Sequence, residues 1–150
     1  AQARLDESSC VRDAMTAAAA GPVTAMHDAT EGGLHGAFVE MASGAGVRFE
    51  VDSDRMPVRP GVEATCAALD IDPWTATTSG SLVLTVAPEG TAAVLSALKD
   101  RGTPAARVGR ATDGEGVAVD GERVEAPPVD SSWAAYSRLS TGSSTNPSST

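Results

Sequence analysis

Ala25-Met26-His27-Asp28-Ala29-Thr30-Glu31-Gly32-Gly33-Leu34 joins two kinds of local structure. Val23 to Met26 reads as a short strand and His27 to Gly33 as a turn. A helix follows from about Glu31 to Ser43, with Leu34, Phe38 and Met41 at i, i+4 and i+7 on one face. Such a helix start offers free backbone N–H groups, and the helix dipole favours an anion at the same place. Gly32 and Gly33 carry no side chains to hold a phosphate away, and Thr30 can donate its hydroxyl. A bare Asp28 would repel a phosphate, so it fits there as a ligand to a bridging Mg²⁺ ion. The same residues also read as local structure alone, with Asp28 as the N-cap and Glu31 closing a capping box.

The rest of the chain supplies elements around this turn. Upstream, Leu5, Val11, Met15 and Ala18 mark one face of a helix that Gly21-Pro22 closes. The chain enters that helix without a lead-in, which is expected of a piece of a longer polypeptide. Downstream, Val47 to Val51 alternates like a half-buried strand. Gly61 to Leu69 reads as a helix facing inward through Val62, Cys66 and Leu69. Ser81 to Ala87 is rich in strand formers, and Pro88 to Asp100 is helical through Val94, Leu95 and Leu98. Arg107 to Arg110 reads as a strand, and Val117 to Val124 as a hairpin turning at Asp120-Gly121. Pro127-Pro128 breaks the chain before a last helix, Ser131 to Leu139, making apolar contacts through Trp133, Tyr136 and Leu139. The expected class is α+β, a mixed β-sheet with packed helices preceded by an N-terminal helix. Residues 1–139 form the domain, and the Ser/Thr-rich stretch 140–150 reads as a disordered tail.

Composition narrows the functions. The 150 residues include 11 Lys+Arg and 20 Asp+Glu, a formal charge of −9. That balance counts against direct nucleic-acid binding, which takes clustered cations. No apolar run reaches the roughly 20 residues of a membrane span. The two cysteines, Cys10 and Cys66, make no paired motif, so a reducing cytoplasm is the expected compartment. Lys99 is the only lysine. Acid spread along the whole chain reads as adaptation to salt, where screening is strong, the alternative being a GC-rich genome that turns Lys into Arg and inflates Ala.

A second candidate for anion contact is Thr77-Thr78-Ser79-Gly80, ahead of the strand at Ser81. Its hydroxyls and glycine can form an anion-binding turn, or serve as an ordinary strand entry. His27 flanks the first candidate and is placed to touch a phosphate or substrate, whereas His35 reads as surface. The sequence contains no metal-spaced His/Cys pattern, nucleophile elbow, Walker A or G-x-G-x-x-G motif. Whether the chain is itself an enzyme is left open by the residues.

The run Ala25 to Leu34, with Glu40-Met41-Ala42 and Gly44-Ala45-Gly46-Val47 after it, resembles the C-terminal domain of the aminoimidazole ribonucleotide (AIR) synthase superfamily. That group includes AIR synthase, formylglycinamidine ribonucleotide synthetase, selenophosphate synthetase, thiamine-monophosphate kinase and the hydrogenase-maturation protein HypE. The nearest likeness is to HypE and the AIR-synthase-related proteins. Their Asp-x-Thr-x-Gly-Gly-Leu turn, Gly-Val strand and Pro-Val loop are echoed by Asp28 to Leu34, Gly46-Val47 and Pro57-Val58. Thr78-Ser79-Gly80 is similar to the selenophosphate synthetase pattern, and Val86-Ala87-Pro88-Glu89 also fits.

The resemblance spans residues 1–139 and implies a partly ferredoxin-like layer that closes over a nucleotide. It implies ATP and Mg²⁺, with Asp28 and Thr30 near the phosphates, Asp28 on the metal, and Gly32 and Gly33 giving backbone contacts. His27, Thr78, Ser79 and Gly80 are secondary candidates. The superfamily's N-terminal nucleotide domain is not matched, so the chain is expected to be inactive alone and to pair with such a domain or with itself. HypE proteins end in a cysteine that carries the reacting group, whereas this sequence ends Pro147-Ser148-Ser149-Thr150, which puts cysteine-borne chemistry in doubt. The alternative is a non-catalytic module of the same fold that binds a small anion or a partner chain.

Overall fold

In the computed structural model, residues 8–125 and 129–142 are described. The expectations for Leu5, Pro127-Pro128 and the end of the tail lie outside them. The order is α1 (Val11–Ala20), β1 (Val23–Ala29), α2 (Gly33–Ala45), β2 (Arg48–Val51), α3 (Val62–Leu69), β3 (Ser81–Val86), α4 (Thr91–Asp100), β4 (Gly109–Thr112), β5 (Gly116–Val119), β6 (Glu122–Val124) and α5 (Ser131–Gly142). Short 3-10 turns cover Ser53–Arg55 and Pro88–Gly90. The α+β class is as the sequence predicts.

The strands form two sheets. β1 and β3 make an antiparallel ribbon, and the other four strands lie in the order β4-β2-β5-β6. The four-stranded sheet is mixed: β2 runs parallel to β5 and antiparallel to β4. Helix α2 lies between the ribbon and this sheet, touching β1, β3, β2 and β5. Its buried Phe38 and Ala42 meet Phe49, Val51, Met56 and Val117 in the larger core. A smaller core joins Ala17 of α1 to Val94 and Leu98 of α4, with Val23, Leu84 and Val86 of the ribbon packed on it. The hairpin turns where expected, with Asp120 and Gly121 at φ 53° and 84°, the left-handed pair that a tight two-residue turn requires.

Two helices turn a different face inward from the one their large apolar residues mark, and a third buries none. In α1, Val11 and Met15 are 67% and 68% exposed, and Ala17 is the buried residue. Small side chains let two helices approach closely, and the close contact here is between α1 and α4. In α5, Trp133, Tyr136 and Leu139 are exposed while Ala135 is buried. The hydrogen bonds at the helix start, described below, fix that orientation. Helix α3 buries none of its residues, and Cys66 is only half-buried.

Strand β1 is also longer than the pattern suggests. It continues through His27, Asp28 and Ala29, which pair with Val83, Leu82 and Ser81. The turn therefore shrinks to Thr30–Gly32.

Candidate functional site

The β1–β3 ribbon brings the two sequence candidates together. Ala29 is opposite Ser81 at the end of the ladder, and the Thr78 N–H donates to the Thr30 carbonyl at 3.2 Å. A hollow of about 530 Å³ opens beside this junction. His27, Asp28, Thr30, Ser79 and Gly80 line it. Met26, Leu82, Val11 and Ala14 give it an apolar wall, and Ser8, Ser9 and Cys10 complete the rim. Thr78 faces into its own loop, its hydroxyl 3.1 Å from that of Ser81.

The hollow has a negative character. Among the described residues no Lys or Arg lines it, while the Asp28 side chain is 68% exposed. Cys10 registers this field: burial pushes its thiol pKa up, and the negative charges of Asp28 and Asp13 push it further. His27 lies between two carboxylates, its Nε2 2.5 Å from Glu40 of α2 and its Nδ1 3.8 Å from Asp28.

Gly32 and Gly33 have a different role from the one expected. The Gly32 N–H donates at 2.9 Å to the carboxylate of Asp130, and the Gly33 N–H donates to the Thr30 carbonyl. The anion at the start of α2 is thus a side chain of the protein itself. With Asp28 drawn into the strand, the first turn of α2 faces the 72–77 loop instead of the hollow. The His35 N–H donates to the Trp74 carbonyl there. A Cβ on Gly33 would lie 2.5 Å from the Trp74 carbonyl oxygen, and φ at this residue is +62°. Glycine is required here for the protein's own backbone to pass. Asp28 is not the N-cap either; Gly32 occupies that position, with no side-chain cap.

Asp130 is 5% exposed and accepts five hydrogen bonds: from the Gly32 N–H, the Thr77 N–H and hydroxyl, and the Ser132 N–H and hydroxyl. Burial works to raise its pKa, and these donors overcome that penalty and hold the carboxyl far below the usual carboxylate range. It ties the turn after β1, the loop before β3 and the start of α5 into one joint. The Trp133 indole N–H, donating to Glu31 at 3.0 Å, adds a second link between α5 and the turn. The sequence does hold a local signal for Asp130, since Asp-Ser-Ser before a helix is an N-cap signature and Ser132 is the residue so capped. Its partners 53 and 98 residues away carry no such signal.

Magnesium is usually held by one or two carboxylates together with phosphate oxygens and waters. Asp28 supplies one such group at the hollow. No group of three or more His, Cys, Asp or Glu able to hold a metal occurs among the described residues. These residues suit a share of a phosphate-bridged Mg²⁺ site and do not form a closed metal cage. Among the described residues no helix is long and apolar enough to cross a membrane.

Comparison with known proteins agrees with this architecture. Carbamoyl dehydratase HypE of Rhizobium leguminosarum bv. viciae is 40% identical over 84 residues, which is 56% of this chain and 24% of that protein. The crystal structure of E. coli HypE superposes with a TM-score of 0.72 at 27% identity, covering 81% of this chain and 40% of that one. A structure of the hydrogenase maturation protein HypE in complex with ATP gives 0.63 at 25% identity, covering 73% and 38%. The chain therefore spans less than half the length of these relatives. Residues 3–122 match the C-terminal domain of the AIR synthase related proteins, and the chain belongs to that family.

Proposed function

We propose that the hollow at the β1–β3 junction holds the Mg²⁺-bound phosphates of ATP or of a phosphorylated substrate, as the C-terminal half of a two-part, HypE-like ATP-dependent enzyme. The observation that carries this reading is the convergence of Asp28 and Thr30 with Ser79 and Gly80 on one cavity. The ATP-bound HypE relative supports it by likeness. Asp28 serves as a metal ligand, because an exposed carboxylate in a hollow with no cation among the described lining residues would repel a bare phosphate. When bound, Mg²⁺ supplies the positive charge that this wall lacks. The hydroxyls of Thr30 and Ser79 and the Gly80 backbone offer hydrogen bonds to phosphate oxygens. The Met26 and Leu82 wall offers apolar cover. Gly32, Gly33 and Asp130 set the shape of the turn and do not touch ligand.

Mg-ATP is titrated calorimetrically into the chain, alone and mixed with the separately produced upstream half of a HypE relative, and the titration is repeated with Asp28→Asn. Magnesium-dependent affinity should fall about tenfold or more, roughly 1.4 kcal/mol. Equal affinities would remove Asp28 from the site. The exposed Trp133 and Tyr136 of α5 favour a second reading, a non-catalytic partner-binding module. ATP binding without phosphate release in the presence of the upstream half would support that one.

A further inference from the structure

A second hollow, of about 420 Å³, opens on the face of the four-stranded sheet away from α2, and its charge is opposite to that of the first. In β2, Phe49 and Val51 enter the core, which leaves Arg48 and Glu50 on the outer side. Strand register then aligns Arg110 of β4, Glu50 of β2 and Ala118 of β5 across the sheet. Arg55 and Arg107 reach the same cavity from the flanking loops, as does Asp52. Four of the protein's ten arginines thus meet two carboxylates, for a local charge of 4 − 2 = +2 on a chain whose total is −9.

The internal pairing leaves much of this guanidinium surface available. Arg110 donates twice to one Glu50 oxygen, at 2.9 and 2.6 Å. Arg48 and Arg55 stand at 3.9 and 3.8 Å from Glu50 and Asp52, and Arg107 donates to the Gly109 carbonyl at 3.5 Å. Each guanidinium carries five N–H donors in a planar fork matched to phosphate oxygens. Exposed ion pairs of this kind contribute only about 0–1 kcal/mol, so a ligand can displace them at little cost. Ala118 and the backbone at Gly109 and Gly121 keep the cavity free of bulk. The volume is that of a small-molecule site.

We infer that this outer-face hollow binds a phosphate group of a small molecule, a phosphomonoester or free inorganic phosphate. The local charge of +2 balances a phosphate dianion, and the concave shape favours a compact ligand over an extended acidic chain. The site is separate from the Asp28 hollow and does not rest on its assignment.

The test is an NMR titration of the full chain at physiological ionic strength, following arginine side-chain and backbone signals. Inorganic phosphate, glycerol phosphate and succinate are the three probes. Saturable shifts at Arg48, Arg107 and Arg110 with both phosphates, and much weaker shifts with succinate, are expected. A stronger response to glycerol phosphate than to inorganic phosphate would identify the ester as the ligand. Arg107→Ala and Arg110→Ala should each weaken binding about tenfold or more, the loss expected for hydrogen bonds to a charged group. Glu50→Gln should strengthen it by freeing the Arg110 fork. Absence of saturable shifts at these arginines, or equal phosphate affinity in Arg107→Ala, Arg110→Ala and the unaltered chain, would overturn the inference. So would succinate binding as tightly as phosphate.

Discussion

Asp130 shows how one buried carboxylate can fix a site it does not line. Its acceptor oxygens engage Gly32, Thr77 and Ser132, residues from both site loops and from α5. Hydrogen bonds to the charged form keep its folded pKa below the unfolded value of about 3.9. Asp13, through Arg101 and Thr103, and Asp120, through Ser53, are also net depressed. A depressed carboxylate contributes stability that is fully present above the unfolded pKa and is lost as pH falls through the folded one. Thermal melts of the unaltered chain should therefore hold steady from neutral pH to about 5 and decline below about 4. Asp130→Asn should lower stability at neutral pH by about 1–3 kcal/mol, the cost of weakening a buried, charge-assisted hydrogen-bond cluster, and its deficit should shrink in acid. An equal deficit at neutral and strongly acidic pH would show that the carboxylate charge is not what holds the joint. This residue was not legible as a site component, because sequence spacing reveals its local cap and not the two loops that fold back to it.

Periodicity served the elements unevenly, and the failures share a cause. It placed α2 and its Phe38 face correctly because that helix lies between two sheets and buries large side chains. In α1 the close approach to α4 rewards Ala17, so Val11 and Met15 face solvent. In α5 the polar joint at Asp130 outweighs the apolar stripe and turns Trp133 outward. Strand β1 outran its pattern because Asp28 and Ala29 find ladder partners in β3, which no local reading supplies. That extension changes the meaning of the glycines. Gly33 is required for helix α2 to pass the 74–76 backbone, with carbonyl oxygens 2.5 and 2.7 Å from where a Cβ would sit. Gly33→Ala should therefore destabilise the fold by about 1–2 kcal/mol from the left-handed backbone alone, and by more once the clash is added. A denaturant midpoint within error of the unaltered protein would place α2 elsewhere.

At the scale of the whole molecule, two cavities of opposite charge occupy two different sheets. The ribbon hollow carries Asp28 and, among the described residues, no lining cation, while the sheet hollow gathers Arg48, Arg55, Arg107 and Arg110. The first was legible in outline, since the Asp28–Thr30 and Ser79-Gly80 segments both stood out by composition and the fold brings them side by side. The second was not, because its arginines lie between residues 48 and 110 and meet only when strand register and the flanking loops bring them together. The total charge of −9 makes a cation bridge the natural partner for any phosphate at Asp28. The most direct measurement is an amide NMR titration of the intact chain with ATP, in the presence and absence of Mg²⁺. Magnesium-dependent, saturable shifts at Asp28, Thr30, Ser79 and Gly80 are expected. Shifts that bypass these amides, or that are the same without magnesium, would contradict a metal-bridged phosphate site at the β1–β3 junction.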